Sequence, residues 1–347
     1  MTSTTSDVNV LAGDEQVGRN TYRKGTTIPS RPGDGSLSRS SRDQRTIPPN
    51  SLLWKYWGDY RQSLVFLYVA AIENMWPQLG QGVSDHSQVF GDKANFLERG
   101  ARTRVIITST VYAAAAEASK TGLKIRNYHK SVKGSMPGGS DYHALNPETY
   151  YWAHATFLDG VYRYVDWFGR RPLTPAEKEQ LFEESKEWFS LYGVDDVAQP
   201  ESYTDFVSYF DDVVNNQLID SSVAQYSLGF AHKPLPAPPG TPAMIAQLVW
   251  PRITALIRLT NIGVLHPVLR ERLGLTWTDA DQRNFERVSK LSRALAPVLE
   301  RLPLKFRYER VAVEAFERVG IDPDRITLET ARAALARARS AAADAVR

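Results

Sequence analysis

Asn146-Pro147-Glu148-Thr149-Tyr150-Tyr151-Trp152-Ala153-His154-Ala155-Thr156-Phe157-Leu158-Asp159-Gly160-Val161-Tyr162 decides how the rest of the chain is read. Asn146 is an N-cap residue, Pro147 suits the first helical position, where no N–H is needed, and Glu148 places an acid against the helix dipole. Tyr151, His154, Leu158 and Tyr162 then follow at i, i+3, i+7 and i+11, so they share one face of a helix.

The same period recurs on both sides. Leu52, Leu53, Tyr56, Tyr60, Leu64, Leu67 and Tyr68 form one helical face, and Pro77 with Gly80 and Gly82 is expected to end that region. Arg102 to Lys120, rich in alanine and apolar residues, predicts one buried helix. Ser131 to Leu145, with Gly134, Gly138 and Gly139, predicts a loop. Thr174-Pro175-Ala176-Glu177 is a capping box opening a helix to about Tyr192, with Gly193 beyond it as a C-cap residue. Further helices are expected over Tyr203–Leu218, Ala243–Asn261, Asp279–Leu302, Lys305–Val319 and from Leu328, with a crossing loop from Lys233 to Pro242. No segment alternates with period two for long enough to predict a sheet. The fold class is therefore all-α, a single large helical domain over residues 49–347. Residues 1–48 form a separate regime. Fourteen of the first 50 residues are Ser or Thr, with almost no apolar periodicity, which predicts a disordered tail.

Composition narrows the chemistry. The 347 residues include no cysteine, so disulfides, iron–sulfur clusters, thiolate-held metals and a cysteine nucleophile are excluded. Any metal must be held by the six histidines, by carboxylates or by tyrosine. With 42 basic and 39 acidic residues the formal charge is +3, which gives no reason to expect nucleic acid as a partner. The longest strongly apolar run, Leu64 to Ile72, falls far short of the roughly 20 residues needed to span a bilayer. A soluble, cytoplasmic protein without a transmembrane segment is expected, with peripheral membrane contact left open. G-x-x-x-x-G-K-[ST], G-x-G-x-x-G after a strand, G-x-S-x-G, H-E-x-x-H and E-x-x-H are all missing, which argues against nucleotide, serine-hydrolase and common helical metal sites.

What remains is histidine and cationic residues among aromatic helices. His154, mid-helix among aromatic and small residues, reads either as a hydrogen-bonded core histidine or as a haem ligand. Arg126, His129 and Lys130 lie near one helix end, where cations are also favoured by the dipole alone.

Arg126-Asn127-Tyr128-His129, Val132-Lys133-Gly134, Tyr142-His143-Ala144-Leu145-Asn146-Pro147 and Trp152-Ala153-His154-Ala155-Thr156 together resemble the oxygenase MpaB / rubber oxygenase (latex-clearing protein) catalytic-domain family. The order is R-x-x-H-x-x-V-x-G, Y-x-A-x-x-P and W-x-H-A-T. Weaker pieces are Gly82 to Ser87, Gly169 to Thr174 with Glu183 and Glu184, and Leu265 to Leu275, where His266 stands at a position expected to be leucine. The resemblance covers about Tyr60 to Arg318. It implies a globin-related helical fold holding a b-type haem, with His154 as the axial iron ligand. It also implies that Arg126 and His129 cover the distal side as catalytic residues, with Arg126 and Lys130 as cofactor-binding cations. Rubber oxygenases carry a lysine in the region of His129, a departure here. The implied activity is a haem-dependent oxygenase using dioxygen on an apolar, isoprenoid-like alkene. The alternative is a haem carrier or sensor without turnover.

Overall fold

The long helix that starts at Asn146 sits at the centre of the molecule. A computed structural model describes residues 47–87, 93–237 and 240–344, with the side chains of 93–99 left aside. Among these residues are fifteen α-helices. In chain order α1 is Leu52–Trp57, α2 Phe66–Asn74, α3 Pro77–His86, α4 Lys93–Tyr112 and α5 Ala115–His129. The central helix α6 is Pro147–Phe168, followed by α7 Pro175–Ser190, α8 Tyr203–Asn216 and α9 Ser222–Ser227. The remainder are α10 Ala243–Leu248, α11 Trp250–Gly263, α12 Pro267–Arg272, α13 Asp279–Leu299, α14 Arg310–Val319 and α15 Leu328–Asp344. No described helix is long and apolar enough to cross a membrane.

Asn146 caps α6 through its side-chain oxygen, which accepts from Glu148 and Thr149 backbone N–H groups, with Pro147 at the first position. The helix is buried along most of its length and packs on α1, α2, α7 and α13. Its buried charge is compensated within the core. Asp159 accepts from Arg163 Nε and from the Tyr68 hydroxyl, each at 2.6 Å, and Arg163 Nη1 donates to the Val264 carbonyl at 2.7 Å. Gly160 lies where a Cβ would come within 2.6 Å of Val69, so its absence lets α2 lie close against α6. The Thr174 capping box opens α7 as the sequence predicts. Glu184, fully buried on that helix, accepts from the Leu52 and Leu53 N–H groups at 3.0 and 2.8 Å and so ties down the start of α1.

Several boundaries differ from the sequence expectations. Pro77 begins a helix instead of ending one, and Gly80 and Gly82 lie inside it, facing the Asn74 carbonyl and the Tyr142 ring. Arg102 to Lys120 is broken at Ala113–Ala114, because Tyr112 is held from three sides: its hydroxyl donates to Trp54 O and accepts from Gly58 N, and its carbonyl accepts from Arg318. Nor is that stretch uniformly buried, since Val105 and Ile106 are about half exposed. The expected loop contains an antiparallel hairpin, β1 Lys133–Ser135 with β2 Asp141–His143, whose turn uses Gly139 at φ +83°. Pro251, which has no N–H, coincides with the break between α10 and α11. Ile47 is already fully buried, with its carbonyl accepting from Trp54 Nε1, so the ordered core begins before residue 49. The expectation of a disordered tail over residues 1–46 lies outside the described residues.

Removing Asp159 while leaving Arg163 in place strands a buried guanidinium. Asp159→Ala is expected to cost about 3 kcal/mol or more in urea unfolding; a loss below 1 kcal/mol would mean the network contributes little.

Candidate functional site

One face of α6 carries Tyr150, Ala153, His154 and Phe157, and all four line a cavity of about 1140 Å³. Helices α2, α3, α4, α5 and α14 and the hairpin supply the other walls. The face predicted from the sequence is shifted by one position. Tyr151 and Leu158 are fully buried in the core, and His154 stands at the border, touching core on one side and cavity on the other.

His154 is 2% exposed. Its ring lies 4.9 Å from Trp188, 5.1 Å from Phe189 and 6.1 Å from Tyr192, centroid to centroid. Nε2 faces the Ser185 carbonyl at 3.2 Å and must carry the proton in order to donate there, which leaves Nδ1 with a lone pair. Nδ1 is buried and has no partner among the described residues. Burial pulls the imidazole pKa down to about 3, partly opposed by the Ser185 hydrogen bond, so the ring is neutral across the physiological range.

His129 closes α5 and lines the same cavity. Its Nδ1–H donates to Ile125 O at 2.8 Å, one turn back, and burial lowers its pKa. Its ring meets the Tyr150 edge at 5.9 Å, and Tyr150 in turn meets Tyr192, which abuts His154. The structure therefore brings His129 and His154 to one cavity through a chain of aromatic edges.

Arg126 and Lys130 are not among the lining residues. The Arg126 guanidinium donates to the Gly193 carbonyl at 3.1 Å and to Asn127 Oδ1 at 3.2 Å, bracing α5 against the turn after α7. Lys130 is exposed at the C-cap of α5. The cations that do reach the cavity from α5 are Lys120 and Lys124, one turn apart, joined by Arg102 on α4 and Arg318 on α14. His86, at the end of α3, also lines the cavity and meets the Lys133 carbonyl through Nε2. His143 accepts from Leu145 N, and His266 caps α12 by accepting from Val268 N.

Sequence reasoning missed two neighbours on α2. Glu73 and Asn74 both line the cavity. Burial pushes Glu73 up to about 7. The available signal was Glu73-Asn74 at the end of an otherwise apolar helical run. Among the described residues no three or more His, Asp or Glu converge as an ion-binding cluster.

A model of the family described as "ER-bound oxygenase mpaB/B'/Rubber oxygenase, catalytic domain" matches residues 54–294. The chain is 26% identical over 165 residues to an uncharacterized protein of Mycobacterium bovis (Mb2261) and equally to one of Mycobacterium tuberculosis (Rv2237). Each match covers 46% of this chain and 58% of the relative, so the chain spans under two thirds of their length. No solved structure matches.

The buried neutral His154 carries a pH signature. Between about pH 6.5 and its folded pKa of about 3 the unfolded state binds a proton that the folded state refuses, so stability is lost as pH falls through this window. In the cofactor-free protein, His154→Gln should flatten the decline of the urea unfolding free energy between pH 6.5 and 4 by up to about 1.4 kcal/mol per pH unit. Parallel profiles for variant and wild type would contradict it.

Proposed function

We propose a haem-dependent oxygenase acting on an apolar alkene: the chain belongs to the ER-bound oxygenase mpaB/B'/rubber oxygenase catalytic-domain family, and its cavity offers one histidine suited to an iron already held by a macrocycle. The observation that carries this reading is His154 Nδ1, a buried lone pair without a partner on the wall of a large cavity. A haem iron would ask the protein for a nitrogen donor, and the neutral imidazole of His154, fixed on a rigid helix, would hold it. The hydrogen bond from Nε2 to Ser185 O fixes the ring and its tautomer, as the second nitrogen of a ligating histidine usually requires. With this cofactor the helical bundle would be the globin-related haem fold that the family implies. A bound b-type haem would supply the redox centre for dioxygen chemistry.

The chain's own groups divide the remaining work. Phe157, Val69 and Ile107 make the wall apolar, which suits a hydrocarbon chain and keeps water out. His129, its Nδ1 tied to Ile125, has Nε2 available to take up or hand over a proton within the cavity. Lys124 and Arg318, exposed where they line the cavity, would meet acidic groups at its rim. Arg126 acts at one remove, holding the Gly193 turn beside the aromatic chain. The cavity exceeds the roughly 300–1,000 Å³ of sites for drug-sized ligands, which leaves room for a substrate together with a cofactor.

The ultraviolet–visible spectrum tests the cofactor. Wild type expressed with ample haem should show a Soret band that His154→Ala abolishes or shifts strongly, while far-ultraviolet circular dichroism stays helical. His266→Ala should keep the band. A colourless wild type would refute haem binding, and an unchanged His154→Ala spectrum would move the ligand elsewhere.

Turnover tests the proton role. Oxygen consumption with an isoprenoid alkene should fall roughly 10²-fold or more in His129→Ala with the Soret band retained. A coloured wild type that consumes no oxygen with any alkene offered would instead fit a carrier or sensor.

A further inference from the structure

Among the described residues three acidic ones line the cavity: Glu73, Glu117 and Glu314. Glu117 is exposed and pairs with Lys120 at 3.5 Å, and Glu314 is exposed and pairs with Arg310 at 3.3 Å. Glu73 differs. It is half-buried on α2, and its carboxyl makes no hydrogen bond or ion pair among the described residues. Next to it, Asn74 is 8% exposed. The Asn74 amide donates through Nδ2 to Ala70 O at 2.7 Å, one turn back, and this fixes the orientation of the group. Its Oδ1 is left buried without a partner among the described residues. Two consecutive residues thus bring unpartnered polar groups to one wall whose surroundings include Val69, Ala70, Leu79 and Phe157.

We infer that Glu73 and Asn74 form a polar subsite that takes the hydroxyl group of an otherwise apolar alcohol. This rests on the reading of the cavity as a substrate site and names the class of substrate. Buried polar groups need partners, and leaving a donor or acceptor unmatched is what a polar pocket penalises most. Asn74 Oδ1 can only accept, so the group opposite it must be a donor. A carboxylate offers no donor and meets a carboxyl group. A hydrocarbon leaves both side chains unmatched. An ammonium would need an ionised Glu73 and would give up its own hydration in an apolar cavity. A hydroxyl has one O–H and two lone pairs, so it can donate to Asn74 Oδ1 while accepting from a protonated Glu73. Burial holds the Glu73 carboxyl in the range where the protonated form is populated at neutral pH, which suits that arrangement. A site built to hydrogen-bond a hydroxyl discriminates strongly against the analogue that lacks it.

Equilibrium binding tests the subsite without calling on turnover. The purified full chain, as isolated, is titrated with decan-1-ol, decane, decanoate and decylamine by calorimetry. Decan-1-ol should bind at least ten-fold more tightly than any of the other three. Glu73→Leu and Asn74→Leu should each weaken decan-1-ol about ten-fold while leaving decane unchanged or tighter. Glu73→Gln, which keeps a donor and an acceptor at the same place, should preserve most of the preference and guards against a misfolded leucine variant. Equal binding of decane and decan-1-ol, tightest binding of decylamine or decanoate, a preference that survives both leucine variants, or no binding at all would each overturn the inference. A colourless protein that still prefers the alcohol would remove the haem reading and keep the subsite. A coloured protein without the preference would do the reverse.

Discussion

Burying a helix on nearly every side is the constraint from which the rest of this structure follows. The helix Pro147–Phe168 has core residues around most of its circumference, so every polar side chain on it must find a partner inside the protein or face a cavity. Asp159 meets the first condition, with Arg163 on its own helix and Tyr68 from α2, and Arg163 is in turn satisfied by the Val264 carbonyl. These bonds draw α2 and the end of α11 onto α6. His154 meets the first condition with one nitrogen and the second with the other. Its bond to Ser185 couples α6 to α7, and Glu184 on α7 couples that helix to the start of α1. The positions of four helices are thus set by a few polar groups that a dry core obliges to pair.

How much of this was legible in the sequence depended on whether a feature is local. The Asn146 cap and the Thr174 capping box involve residues three or four apart, and both helices begin where those residues place them. The break at Ala113–Ala114 was not legible, because no proline or glycine stands there and the cause is Tyr112, held by Trp54, Gly58 and Arg318 from distant parts of the chain. Pro77 was misjudged for a different reason: the same residue that ends one helix is well suited to the first turn of the next, and only the backbone between Asn74 and Pro77 decides. The hairpin was hidden by strands of three residues, too short for any alternation to register.

The site was legible in its histidines and opaque in its acids and cations. His129 and His154 do share a cavity, although they lie on helices separated by the hairpin. Arg126 could not be placed from sequence, since adjacent residues on a helix point about 100° apart and a shift of that size separates Ile125, on the cavity wall, from Arg126, on the Gly193 carbonyl. Lys120 and Lys124 lie on the cavity side of the same helix, and nothing in their i, i+4 spacing says which way that helix face is turned. Glu73 and Asn74 stood at the end of an apolar run and drew no notice, because a helix end is an ordinary place for polar residues and nothing local says that this end faces a cavity.

The chemistry of the wall follows from the polar atoms its helices leave unpaired. His154 and His129 each spend one nitrogen on a helical carbonyl, Ser185 and Ile125 respectively, and burial keeps both rings neutral, so each presents a lone pair through its other nitrogen. Asn74 spends its amide donor on Ala70 and keeps its oxygen free. Beside these acceptors stand the buried hydroxyls of Tyr150 and Tyr192, which have no partner among the described residues, so the inner wall offers donors as well as acceptors. Lys120, Lys124, Arg102 and Arg318, the Lys and Arg residues that line the cavity among the described residues, do so from exposed positions at its edge. Acceptors, hydroxyl donors and apolar surface behind a cationic rim select what can enter and where it can rest. Acidic groups are held at the edge, while a group that both donates and accepts finds partners within an otherwise apolar wall.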